Sequence, residues 1–125
     1  MHVAIFLPLL FASASPSASL SYEQAKALAD RDEGALTQSD SQQLLASQGK
    51  AGGEAHASCV SPSSQKDLSA YTVVMELNSS GKVVHTWLQG TSVLAVCFNA
   101  EMAKKSLFTP PHAPFYTSFE MSWGP

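Results

Sequence analysis

The sequence predicts an α+β fold in which short N-terminal helices precede a β-β-α-β unit. Three observations support this class: paired β-branched runs on either side of a turn, a helical apolar pattern after them, and a closing stretch of alternating aromatic residues. We expect a three-stranded antiparallel sheet, in the order 2-1-3, packed on one helix. With 125 residues, 45% of them hydrophobic, and a net charge of −3, the chain fits one small globular domain.

The first two strands form a predicted hairpin. Alternating apolar residues in Tyr71 to Leu77, rich in β-branched and aromatic types, are typical of a strand buried on one face. Asn78 to Gly81 supplies turn residues, with Gly81 free to adopt positive φ. The return strand, Lys82 to Leu88, carries apolar residues on both faces, so its inward face stays open.

A helix follows the hairpin. The hydroxyl of Thr91 or Ser92 is expected to cap it, and apolar residues at helical spacing, Cys97 among them, extend it over about twelve or thirteen residues. Pro110 and Pro111 prevent its continuation.

The last run alternates strictly and predicts a strand with one face in water. Its apolar face is Phe115, Thr117, Phe119, Met121 and Trp123, and its polar face is Tyr116, Ser118, Glu120 and Ser122. A right-handed crossover through the helix makes this strand the third, at a sheet edge, where unpaired backbone groups can accept a partner strand.

The aromatic side chains leave an alternative open. His85, Trp87, Tyr116 and Trp123 lie on strands that could be sheet edges, and could form an apolar contact surface. We expect Trp123 and Phe119 to pack beneath the helix instead, and leave Trp87 and Tyr116 undecided.

The N-terminal part divides into a leader and a helical segment. Residues 1–19 predict a signal peptide, from an apolar run before Ala12-Ser-Ala14, with cleavage near Ala14 to Ser19 and no stable membrane anchor after export. Residues 20–58 predict two short helices, capped by Ser21 with Gln24 and by Ser39 with Gln42, and ended by Gly34 and Gly49. Residues 51–58 are expected to be a connector or a frayed turn. Residues 59–125 are expected to form the β-β-α-β domain.

Two cysteines, Cys59 and Cys97, are the most informative chemical feature. In an exported chain they are expected to form one disulfide, which ties the N-terminal helices to the later helix. A redox-active cysteine is the alternative, but the sequence has no Cys-x-x-Cys motif.

Motifs for other chemistry are missing from the sequence. His56 lies three residues before Cys59, but a metal site needs three or four convergent ligands, so no metal is expected. No Gly-x-Ser-x-Gly or other catalytic grouping is present, the carboxylates are spread as on a solvated surface, and no basic patch would bind nucleic acid. We therefore expect no enzyme activity, no cofactor and no nucleic-acid partner.

In the second half of the chain, two strands are joined by an Asn-Ser-Ser-Gly-Lys turn, a Gly-Thr-Ser link leads into a helix, and Phe108-Thr-Pro-Pro precedes an aromatic strand. These features resemble the C-terminal domain of TonB-type energy transducers. Cysteines before the first strand and within the helix resemble those of its small exported relatives. The resemblance covers about the last half of the chain. It implies strand pairing with an envelope protein, but the chain lacks the long Pro-rich linker of a transducer.

The function expected from these features is that of a periplasmic or secreted bacterial adaptor that binds an envelope protein or peptide. Its partner-binding edge strand would comprise Phe115, Tyr116, Thr117, Ser118, Phe119 and Glu120, and proline at Ser118 would abolish binding while sparing the fold. The alternatives are an inhibitor or immunity-type protein that acts through loops such as Phe108 to Pro114, or a purely structural envelope protein. Two sheet edges would also permit a homodimer.

Overall fold

The computed structural model describes residues 19–123, so the predicted signal peptide lies outside the described residues except for Ser19. Within residues 19–123, three α-helices and three strands make up the fold, and Ser64–Lys66 form a 3₁₀ turn. In chain order they are α1 Tyr22–Gly34, α2 Gln38–Cys59, β1 Tyr71–Leu77, β2 Val83–Gln89, α3 Val93–Met102 and β3 Phe115–Met121.

The sheet is antiparallel with the order β2-β1-β3, as predicted. Val74 on the central strand lies opposite Trp87 of β2 and Ser118 of β3. The hairpin turn contains Gly81 at φ 90°, where a Cβ would collide with the carbonyl of Phe108, so the position requires glycine for its conformation and for its close contact.

Helices cover both faces of this sheet. On one face, every second residue of β1 from Tyr71 to Leu77 is buried in the main core. Leu94, Phe98 and Met102 of α3 belong to the same core, and α2 also contributes to it. On the opposite face, Ala25 and Ala29 of α1 pack against a smaller core, made with Val74, Trp87 and Tyr116. The fold class is confirmed, but the sheet packs on three helices rather than on one.

The face of β3 that was expected to be in water is therefore only partly wet. Tyr116 is buried beneath α1, whereas Ser118 is half-buried and Glu120 is exposed. The sequence pattern was misleading because a tyrosine ring and small polar groups can pack under an alanine-rich helix when their hydrogen bonds are met.

Helix α1 begins as predicted. The Ser21 hydroxyl accepts from the Gln24 N–H, and the Gln24 side chain accepts from the Ser21 N–H at 2.8 Å, which completes a capping box.

The prediction for α2 was wrong at both ends. Its cap is Thr37 rather than Ser39, and the helix continues through Gly49 to Cys59, so residues 51–58 are not a connector. Each internal glycine costs about 1 kcal/mol of helix propensity. Packing offsets this cost, because Gly52 lies against the Phe119 ring at a distance that leaves no room for a Cβ.

Helix α3 is capped by Ser92 and ends at Met102, earlier than predicted. After the helix, the chain pairs with the start of β2. The Val83 N–H donates to the Lys105 carbonyl at 3.0 Å, and Lys82 forms an antiparallel bridge with Ser106. This short segment gives β2 a neighbour over its first residues only.

Candidate protein-binding edges of the sheet

The outer edge of β3, where the sequence places the partner-binding residues, is occupied by side chains of the same chain. The N–H of Tyr116 donates to Asp32 Oδ2 at 2.9 Å, and the N–H of Ser118 donates to Glu33 Oε2 at 2.9 Å. Gln48 of α2 donates to the Ser118 carbonyl at 3.1 Å. These side chains replace the hydrogen bonds that a neighbouring strand would make.

The side chains of the six predicted binding residues point to both faces of the sheet. Phe115 and Thr117 are fully buried on the α2 and α3 face, where Phe119 packs against Phe98 at 5.0 Å between ring centroids. Tyr116 is buried on the α1 face. Ser118 and Glu120 are the members of the set that reach an open cleft beside the strand.

That cleft holds about 270 Å³ between α1, α2 and the β3 edge. Its lining combines carboxylates and a buried amide with leucines, one of which, Leu45, is exposed. The lining residues are Glu33, Leu36, Ser41, Leu44, Leu45, Gln48, Ser118 and Glu120. The cleft leads to an edge whose donors at Tyr116 and Ser118 are already bonded, so it does not expose a row of free backbone groups.

The outer edge of β2 differs from that of β3. In antiparallel sheets, residue pairs that exchange backbone hydrogen bonds alternate with pairs that do not. Because the N–H groups of Tyr116 and Ser118 point away from β1, they determine which pairs across the sheet are hydrogen-bonded. Val74 and Trp87 are then a bonded pair, and the backbone groups of Thr86 and Leu88 point away from β1. Neither residue's outward N–H or carbonyl has a hydrogen-bond partner within residues 19–123.

The surroundings of the β2 edge are apolar and uncharged. Val84 on β2 is 50% exposed, and Val93 and Val96 on α3, which packs against β2, are 64% and 55% exposed. Residues 83–100 contain no Asp, Glu, Lys or Arg. This absence of charged residues is the feature of the sequence that could have predicted β2 as the unprotected edge.

Buried carboxylates lie on the α1 face. Asp32 and Glu76 are buried, which corrects the expectation of a solvated set, and both lie near Tyr116. Burial chiefly, and then the charges of Glu76 and Asp32, raise the pKa of Tyr116. Asp32 is bonded by Arg31 and by the Tyr116 N–H, whereas Glu76 has no hydrogen bond among the described residues.

The aromatic contact surface that the sequence left open as an alternative does not form. Trp87 and Tyr116 are buried beneath α1 with ring centroids 6.0 Å apart, and Trp87 Nε1 donates to the Leu20 carbonyl. Trp123 is 38% exposed beside Tyr71, not beneath the helix as expected, because β3 ends at Met121.

Cys59 and Cys97 form the predicted disulfide, which joins the end of α2 to the middle of α3 with a Cα–Cα distance of 5.8 Å. Disulfides persist in oxidising surroundings, so the bond indicates an exported compartment. In the part of the chain that the structure describes, no helix is long and apolar enough to cross a membrane.

No three His, Cys, Asp or Glu side chains between residues 19 and 123 are grouped as metal ligands. Comparisons of the chain with protein-family models, with curated proteins and with solved structures gave no match. The sheet edges and the buried polar groups beside them are therefore the features on which a function can be based.

Proposed function

We propose that this protein is an exported, non-enzymatic binding module of the bacterial periplasm, which pairs an extended segment of an envelope protein with the outer edge of β2. The observation that carries this proposal is the difference between the two edges. The outward backbone groups of Thr86 and Leu88 have no hydrogen bond within residues 19–123, whereas those of Tyr116 and Ser118 are bonded by side chains of α1 and α2.

An exposed strand edge is a template for another strand, because every added residue pair satisfies donors and acceptors that otherwise require water. Proteins commonly protect such edges with charges or with a covering element. The β3 edge has both forms of protection here, since Asp32 and Glu33 lie against it. In the part of the chain that the structure describes, the β2 edge has neither form of protection beyond Val83. Its exposed valines add apolar area that a partner can bury.

The resemblance to TonB C-terminal domains supports strand pairing as the mode of binding but suggests β3 as the edge. Pairing at β3 would first require Glu33 and Gln48 to release the Ser118 backbone. A strand can approach β2 without breaking a hydrogen bond within the described chain. We therefore place the partner at β2.

The test is site-specific photocrosslinking in the periplasm, with the photoreactive residue at Val84 for β2 and at Leu45 for the β3 cleft. Both positions are exposed apolar sites, so we expect the fold to accept the probe at either one. We expect one discrete envelope protein to be captured from Val84 and not from Leu45. The capture should be lost on Thr86→Pro, which removes one outward N–H donor.

A matched pair of lysine variants serves as the control. Val84→Lys places a charge on the β2 edge and should weaken capture, whereas Leu45→Lys makes the same change beside β3 and should leave capture unchanged. Capture from Leu45 alone would assign the partner to β3 and contradict the choice of edge. Self-crosslinks alone would show that the edge binds a second copy.

A further inference from the structure

Glu76 is a buried carboxylate without a partner. Its residue is 8% exposed, and Oε1 is fully shielded from solvent and has no hydrogen bond within residues 19–123. A buried carboxylate without a donor is unfavourable, because it has lost water and gained no hydrogen bond in return. The central strand therefore carries an acceptor that this part of the chain does not satisfy.

Arg31 on α1 and His85 on β2 both have partners other than Glu76. Arg31 donates from Nε and Nη2 to Asp32 Oδ1 at 3.0 and 2.9 Å. His85, directly opposite Glu76 on β2, packs edge-on against Trp87 at 4.3 Å between ring centroids. No nitrogen of His85 forms an ion pair with Glu76 among the described contacts.

Glu76 lies on the central strand, opposite His85 of β2 on one side and Tyr116 of β3 on the other. Glu76 and His85 form a cross-strand pair on the α1 face, and His85 is only partly buried. Strands lie about 4.8 Å apart, so a strand added beside β2 would be about 10 Å from β1. The long stems of lysine and arginine can cross apolar and aromatic groups while the charged head binds beyond them.

We infer that Glu76 is a specificity determinant which receives the head group of a Lys or Arg residue carried by the partner segment on the α1 side of the added strand. The inference rests on the proposed function. The cation would supply the donor that Glu76 lacks, and its stem would lie across His85 and beside Trp87, whose ring also favours a cation. The partner segment would thus be apolar towards α3 and would carry one basic residue on the α1 side.

The experiment is a selection from displayed random nine-residue peptides against three forms of the protein with the disulfide intact: wild type, Glu76→Gln and Thr86→Pro. Glutamine keeps the shape of glutamate and removes its charge. We expect wild type to enrich peptides with Lys or Arg at one fixed position, Glu76→Gln to bind peptides without that preference, and Thr86→Pro to enrich neither set.

A direct measurement follows on one enriched peptide and its Lys→Met or Arg→Met form. Loss of the basic residue should weaken binding to wild type at least tenfold and leave binding to Glu76→Gln almost unchanged. Enriched peptides with no basic preference, or with one that persists in Glu76→Gln, would overturn the role of Glu76 and leave the edge proposal intact. If the enrichment of peptides does not depend on Thr86, the proposed function and this inference are both overturned.

Discussion

At the scale of the residue, burial of polar groups is what the sequence does not reveal. Asp32 and Glu76 look in sequence like the exposed carboxylates around them, yet both are buried. Asp32 is retained in the interior because it accepts from the Tyr116 N–H and from Arg31. Arg31 is adjacent to Asp32 in the chain, but no local pattern identifies Tyr116 as a partner, because it lies 84 residues away.

Tyr71 gives a prediction on pH dependence. Its hydroxyl is buried without a hydrogen bond in the described chain, and burial raises its pKa to about 12. In the unfolded chain a tyrosine ionises near pH 10. Between about pH 10 and pH 12 the native state therefore holds more protons, and stability is expected to fall as pH rises through this window.

Urea unfolding at several pH values tests this. Tyr71→Phe should raise stability by about 1 kcal/mol at pH 7, because it removes an unsatisfied buried hydroxyl, and should reduce the alkaline loss. Part of the loss should remain, since the pKa of Tyr116 is also raised. Tyr22→Phe on α1 is the control. An alkaline loss in Tyr71→Phe as large as in wild type would contradict the assignment.

At the scale of the element, the two edge strands of the sheet differ in what protects them. The connection between α1 and α2 passes from one face of the sheet to the other around β3, which brings Asp32, Glu33 and Gln48 to its backbone. Among the described residues, the outer edge of β2 has only Lys105 and Ser106 beside it, at the start of the strand. The sequence predicted that β2 and β3 are the edge strands, but it did not predict that side chains of α1 and α2 protect β3.

Proline substitutions distinguish the edges by stability as well as by binding. Ser118→Pro removes the donor to Glu33 and disturbs a bonded edge, whereas Thr86→Pro removes an N–H that has no partner in the described chain. We expect Ser118→Pro to cost about 1–3 kcal/mol more than Thr86→Pro in urea unfolding. The donor that proline removes at Ser118 is one that Glu33 uses, so the fold is expected to be less tolerant of this change than the sequence alone indicates. Equal losses would show that the Glu33 bond adds nothing.

At the scale of the whole molecule, a single cross-link joins the helical N-terminal part to the β-β-α-β unit. The disulfide closes a sequence separation of 38 residues between α2 and α3, which together cover one face of the sheet. Helix α1 covers the other face, so the described chain folds around one sheet and not as a helical segment beside a separate unit.

The disulfide is expected to supply a large part of the stability. In the chain-entropy model, closing this loop contributes about 4 kcal/mol. Urea unfolding of the oxidised protein and of the Cys59→Ala, Cys97→Ala double variant should differ by about that amount at equal pH. The single variants should each lose as much as the double variant, because either removes the bond. A difference below about 1 kcal/mol would show that packing alone holds α2 and α3 together.

The sequence by itself determined the strands, the turn at Gly81, the cap at Ser21, the disulfide and the order β2-β1-β3, because alternation, glycine φ, capping boxes and crossover handedness are local or follow from connection rules. Only the tertiary structure decided the length of α2, the burial of Asp32 and Glu76, and which edge is open. These depend on contacts such as Gly52 with Phe119 and Glu33 with Ser118, whose partners lie far apart in the chain. A local pattern does not encode such contacts.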